Sequence, residues 1–300
     1  MSLSRLQIAT DILAAQTRAG EARACRAHSG MGAGDAGAAA PLALGATAVD
    51  RCLEGGLACG GLHEVRSPLA RDIGAAAGFV LGLAVRAGQA GRGGRQGVVW
   101  VSDPAARVDG GGLFPAGLAQ HGLDPSLITM VEPADLQGAL WAADEAADCA
   151  GLAALVLQIR GNPARFDITA TRRLMLRARQ SGVLALVLRQ SGEEEASAAA
   201  TRWRVNTEIS GTDDLDQRGV GAMRLSLTLE RNRTGRTGHW FVAWNPQTRT
   251  FDHAAPTPVL RSVHPAAHSR HRLSATGHRQ DPPRTMGQVL DHRQDFGRAS

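Results

Sequence analysis

The chain has 300 residues, 43% of them apolar and 20% charged, enough for one large globular domain or two small ones. Its 33 basic residues are all Arg, which against 28 acidic residues leaves a net charge of +5. A Walker A loop and Schiff-base catalysis both require Lys, so the composition excludes both. The four cysteines, Cys25, Cys52, Cys59 and Cys149, form no C-x-x-C pair, and a disulfide scaffold is not expected. The opening MSLSRLQIATDIL lacks the apolar run of a signal peptide, and Ile73–Val85 is too short to span a bilayer. The expected compartment is the cytoplasm, with no membrane contact.

In chain order, residues 1–27 read as an N-terminal helix, with Leu3, Leu6, Ile8, Ile12 and Leu13 mostly on one face. Residues 28–41 are small and turn-rich, a flexible linker. They contain a G-x-G-x-x-G at Gly32, Gly34 and Gly37, but no strand precedes it and no helix opens at it. With 36 glycines in the chain, such a match arises from composition alone.

From residue 42 to 253 the pattern alternates. Strand-like runs fall at Leu62–Val65, Val98–Val101, Leu127–Val131, Leu152–Ile159 and Val183–Leu188. Helix-like stretches fall at Ile73–Ala87, Leu113–His121, Asp135–Ala150 and Thr169–Gln180. Short runs apolar on both faces, separated by helices, predict an α/β domain with a mainly parallel sheet. Met223–Arg231 then switches to period two, with Leu225, Leu227 and Leu229 on one side. The Thr234–Gly238 turn and the return His239–Trp244 predict an antiparallel hairpin closing the sheet edge. Residues 254–300 carry seven Arg and three Asp without periodicity, and read as a basic disordered tail.

Gly55–Gly88 has the order Gly-rich turn, strand, short loop, apolar helix, which is the frame of a phosphate-loop NTPase. The loop itself, RSPLARDI, lacks glycine and Lys. Asp72 at the helix start repels phosphate but suits an N-cap, while the Arg71 cation is in principle suited to contact a phosphate. A plain structural loop accounts for the segment better than a hydrolytic one.

LALGATAVDRCLEGGLACGGLHEV and LTLERNRTGRTGHWFVAWN resemble the entry and the hairpin of the RecA-like core. FDITATRRLMLRARQSGVLALVLR and SAAATRWRV resemble the ImuA family in particular, RecA-related proteins of inducible mutagenesis sometimes described as SulA-related. The resemblance spans about residues 42–245 and implies a RecA-like three-layer fold. Transferred residue by residue, it aligns Ser67, Pro68, Leu69, Ala70, Arg71, Asp72, Ile73 and Gly74 with the phosphate loop. Ile73 then stands where the Lys would be, and Gly74 where the magnesium-binding Thr would be. Gln158 stands at the Walker B Asp, and the water-activating Glu falls near Pro104, beside Asp103. Each missing group acts on the transferring phosphoryl. The resemblance therefore implies a non-catalytic adaptor in damage-induced, error-prone translesion synthesis, with no cofactor. Its implied partners are an ImuB-type inactive polymerase homologue, an error-prone polymerase subunit and RecA, together with self-association. An active repair ATPase and a SulA-like cell-division inhibitor stand as the competing readings.

Two arginine sets remain. Arg172, Arg173, Arg177 and Arg179 share one helix, whose inner stripe is Thr171, Leu174, Met175 and Ala178. Arg231, Arg233 and Arg236 cluster at the hairpin turn. Guanidinium groups suit carboxylates or phosphates, so solvated face, partner contact and DNA backbone contact all stay open. Sparse aromatic interleaving gives base stacking little support. Leu6, Ile8, Ile12 and Leu13 form a candidate docking helix. His264, His268 and His271 have ligand-like spacing, but Pro265 and Ser269 disfavour the helix that would gather them. Cys52, Cys59 and His63 read as core rather than ligands, so no metal site is expected.

Overall fold

The structure, a computed structural model, describes residues 40–90, 94–210 and 221–256. The N-terminal helix, all of the linker but its last two residues, and the basic tail beyond residue 256 lie outside the described residues.

Nine strands form one sheet. They are β1 Leu62–Ser67, β2 Gly97–Ser102, β3 Ile128–Val131, β4 Leu152–Arg160, β5 Leu184–Gln190, β6 Thr201–Thr207, β7 Arg224–Asn232, β8 Gly238–Asn245 and β9 Thr250–His253. Their order is β3-β2-β4-β5-β1-β6-β7-β8-β9. The first six are parallel, and β6 to β9 run antiparallel in turn. The helices are α1 Thr47–Cys52, α2 Ile73–Gln89, α3 Pro104–Gly110, α4 Pro115–Gln120, α5 Leu136–Ala147 and α6 Ile168–Ser181. This is the three-layer α/β fold with a mainly parallel sheet and antiparallel C-terminal strands expected from the sequence.

Strand alternation divides the core in two. Val98, Trp100, Val156, Leu186 and Trp203 face α2, which buries Ala76, Phe79, Val80 and Leu83 against them. Val99, Val101, Leu155, Leu157 and Val187 face α5 and α6. α5 contributes Ala139, Ala142, Ala143, Ala146 and Ala147, small side chains that bring its axis close to the sheet. Asp135 and Asp167 cap α5 and α6 by accepting from Gly138 N and Ala170 N at 2.7 and 2.8 Å. Gly182, at φ +78°, ends α6 in the left-handed region.

The segment ahead of β1 explains its glycines and its Asp. Leu42 and Leu57 form a two-residue bridge. A Cβ on Gly56 (φ +139°) would lie 2.2 Å from Leu42 O, so only glycine permits the approach. Asp50 closes the same turn by accepting from Leu44 N and Gly45 N at 2.6 and 2.9 Å.

Several boundaries differ from the sequence reading. β7 and β8 pair as the expected hairpin, but β9 lies outside them and forms the edge. β6 is hidden in the sequence because Arg202 and Arg204 interrupt its apolar residues. α5 ends at Ala147 rather than Ala150, and α1 and α3 are too short to show periodicity. Among the described residues, no helix is long and apolar enough to cross a membrane.

His63 is fully buried. Its Nε2 lies 3.0 Å from Ala58 O, so Nε2 carries the proton and donates. Nδ1 then accepts from Thr201 Oγ1 at 2.8 Å, and Thr201 Oγ1 accepts from Trp203 Nε1 at 2.9 Å. That chain requires a neutral ring. Burial lowers the pKa of His63 and of His121 to about 4, from the ordinary 6.5. The unfolded chain therefore takes up protons first on acidification. The histidine contribution to stability is complete above pH 6.5 and declines as the pH falls toward 4. Thermal melts across this window should show a falling midpoint, and His63→Gln should flatten part of the fall.

Candidate functional site

The carboxyl ends of the parallel strands are where an open α/β sheet forms its ligand crevice. The first feature there is the β1–α2 connection. Ser67 ends β1, Pro68 and Leu69 follow, and a 3₁₀ turn over Ala70–Asp72 leads into α2. A phosphate cradle aims successive backbone N–H groups into a concavity. Here Pro68 has no N–H, and Asp72 N donates to Leu69 O at 3.0 Å. Ile73, which the resemblance aligns with a phosphate-binding Lys, is buried at 7% exposure. Gly74 and Arg71 are exposed.

Asp72 is placed differently from its sequence reading. It occupies the N-cap position of α2 but makes no capping bond. Its carboxylate turns to the end of β6, accepting from Thr207 N at 2.9 Å and Asn206 Nδ2 at 3.0 Å. Burial opposes its ionisation, but these donors and Arg71 outweigh burial and hold its pKa below the usual value. The loop is thus a clamp between β1 and β6.

Gln158, which the resemblance aligns with the Walker B Asp, lies near the end of β4. Its Oε1 accepts from Trp100 Nε1 at 2.8 Å and from Ser102 Oγ at 3.0 Å. Asp103 follows β2 directly, and its N–H donates to Gln158 O at 2.9 Å. Burial raises the Asp103 pKa, against backbone N–H groups of Ala106, Arg160 and Ala105 that lower it. The end of α3 sits over this edge. A Cβ on Gly110 would fall 2.3 Å from Gln190 Nε2 and 3.2 Å from Gln158 Nε2. Ion pairs of Asp109 with Arg160 and of Arg107 with Glu132 hold α3 in place. Beneath it, the Ser67 hydroxyl and the Gln190 carboxamide are fully buried with no hydrogen-bond partner among the described residues. This cover has no local sequence signature, because Gly110 and Gln190 meet only through the fold.

Beside the loop lies a buried ionic node that sequence reasoning missed. Glu64 Oε1 accepts from Arg189 Nε at 2.9 Å, and Oε2 from Arg202 Nε at 3.2 Å and Ser197 Oγ at 2.9 Å. Side-chain exposures are 3%, 1% and 3% for Glu64, Arg189 and Arg202. Burial pushes the Glu64 pKa up, but the two guanidiniums and the hydroxyl outweigh it and hold the carboxyl below its usual value. Arg189 also donates to Gly161 O at 2.8 Å and lies over the Phe166 ring at 5.5 Å. Arg202 extends to Glu194 at 3.1 Å. The available signal was Glu64 itself, the penultimate residue of the LALGATAVDRCLEGGLACGGLHEV run.

The two arginine sets are sorted by their partners. Arg231 Nη1 donates to Ser197 O and Arg233 Nη2 to Ala198 O, both at 2.9 Å, so they tie the β5–β6 loop to the hairpin. Arg236 stays exposed. On α6, Arg173 pairs with Asp144 at 2.6 Å and Arg177 with Glu145 at 3.7 Å. Arg172 and Arg179 point outward. Among the described residues no group of three His, Cys, Asp or Glu side chains suits a metal ion. The tail histidines and the docking residues Leu6, Ile8, Ile12 and Leu13 lie outside the described residues.

Fold and edge together define a three-layer α/β protein whose first strand–helix connection is a clamp between β1 and β6. No family model matches the chain. Two curated relatives, both Protein ImuA of Caulobacter vibrioides, from strain NA1000 / CB15N and strain ATCC 19089 / CIP 103742 / CB 15, are 34% identical over 218 residues. The match covers 67% of this chain and 82% of each relative. The chain therefore belongs to the ImuA family. The RadB recombinase crystal structure aligns with 71% of this chain and all of its own, at TM-score 0.49 and 18% identity.

The ionic node generates a direct test. Glu64→Gln leaves two buried guanidiniums facing a neutral amide, which costs about 3–5 kcal/mol. Arg51→Glu, on an exposed helix position, should cost at most about 0.5 kcal/mol. Urea melts of both variants check the contrast.

Proposed function

We propose that this protein is a non-catalytic adaptor of damage-induced, error-prone translesion synthesis, acting in the cytoplasm. Membership of the ImuA family supports a role in damage-induced mutagenesis. The observation that carries the non-catalytic part is the β1–α2 connection. Ile73 is buried where a cation would meet phosphate, and Asp72 is engaged with β6. Phosphoryl transfer depends on a Lys, a metal ligand and a positioned water. Neither the loop nor Gln158 supplies the first two. On this reading the fold serves as a scaffold. Its partners are an ImuB-type polymerase homologue, an error-prone polymerase subunit and RecA, together with self-association.

Calorimetry with ATP and magnesium should show no micromolar binding by the full chain. Capture from damage-treated cells should recover the polymerase homologue and the polymerase subunit. DNA-stimulated ATP hydrolysis that Arg71→Ala abolishes would establish the repair ATPase instead, and recovery of a division GTPase would establish the inhibitor.

Residues 1–27 supply one docking element in this scheme. Leu6→Asp with Ile12→Asp should weaken capture of the polymerase homologue or of a second copy while leaving the cooperative melt of the core intact. Loss of each buried aliphatic removes roughly 1.5–3 kcal/mol before ordering costs. A collapse of the melt itself would place these side chains in the core.

A further inference from the structure

The sequence of α6, Ile168–Ser181, contains four arginines and no acidic residue. The arginines divide by direction. Arg173 and Arg177 turn toward α5 and its Asp144 and Glu145. Arg172 and Arg179 are exposed, and among the described residues neither pairs with a carboxylate. Positions 168, 172, 176 and 179 follow at intervals of four, four and three, so they share one face. That face reads Ile, Arg, Leu, Arg, with Ile168 at 49% and Leu176 at 48% exposure. The buried stripe, Ala170, Thr171, Leu174 and Ala178, lies on the other side. On the Arg173–Arg177 side of the helix runs a groove between α5 and α6, lined by Leu140, Trp141, Asp144 and Arg165 together with those two arginines.

A solvated helix face needs no large aliphatics, and the arginines of such a face gain nothing from them. A nucleic-acid backbone would engage the guanidiniums but offers no apolar surface to Ile168 and Leu176. An amphipathic protein helix offers both, through carboxylates set among apolar residues. Charge complementarity fixes the sign of those residues as acidic. We propose that the outward face of α6, with the Leu140–Trp141 groove beside it, docks an acidic amphipathic helix of a partner protein. This rests on the adaptor reading above and states where on the fold one partner engages.

The test uses the full chain, the purified polymerase homologue and a single-stranded oligonucleotide as separate probes. Arg172→Glu with Arg179→Glu should weaken the homologue's binding roughly tenfold or more, with the loss shrinking as salt rises. Leu176→Ala should weaken it roughly threefold to tenfold with little change in salt dependence. Both variants should melt at the wild-type temperature. Wild-type affinity in both variants overturns the docking face and leaves the adaptor reading standing. Failure of the wild-type chain to bind the homologue overturns both. Loss of oligonucleotide binding with homologue binding retained assigns the face to nucleic acid. A lowered melting temperature with homologue binding retained shows that the face is covered by the chain's own residues.

Discussion

A single buried carboxylate organises the carboxyl edge of this sheet. Glu64 stands between two arginines, each almost without solvent, and its two oxygens receive Arg189, Arg202 and Ser197. A charge removed from water in this way is tolerable only when every lone pair is engaged. That requirement fixes more than the three side chains. Glu64 is on β1, Arg189 on β5 and Arg202 on β6, so the node pins the strands on both sides of β1. Arg189 reaches Gly161 O after β4, and Arg202 reaches Glu194 in the β5–β6 loop. The hairpin arginines Arg231 and Arg233 then hold the rest of that loop through its carbonyls.

With the strand ends fixed in this way, the adjoining crevice is filled by the protein itself. Asp72 fastens the β1–α2 turn to β6, Gln158 Oε1 accepts from both Trp100 and Ser102, and Gly110 brings α3 down onto Gln190. The first two contacts engage the Asp72 carboxylate and Gln158 Oε1, and the third covers Gln190 without a hydrogen bond. The buried, unpartnered Ser67 hydroxyl and Gln190 carboxamide are the polar remainder of the crevice. Groups of that kind are costly to keep desolvated, so the packing of α3 above them must compensate.

The surface follows the same division between arginines that hold the fold and arginines that remain outside it. Arg173 and Arg177 join α6 to α5, a structural task, which leaves Arg172 and Arg179 facing outward beside two half-exposed aliphatics. An adaptor needs surfaces rather than a catalytic centre, and a rigid helix seated on a parallel sheet presents one without any ordering cost of its own.

The sequence alone determined the α/β class, the alternation from residue 42 to 253 and the hairpin, because periodicity depends on neighbours two to four positions away. It also established the absence of Lys, which excludes a Walker A lysine. It could not show β6, since Arg202 looks like a surface residue until its carboxylate is known. Only the tertiary structure decided which charges are buried, what covers Gln190 and which arginines are free. Those outcomes rest on partners far apart in the chain: Glu64 and Arg189 are separated by 125 positions, Glu64 and Arg202 by 138. Local pattern carries no information about such pairs, because they are selected by the register of the whole sheet.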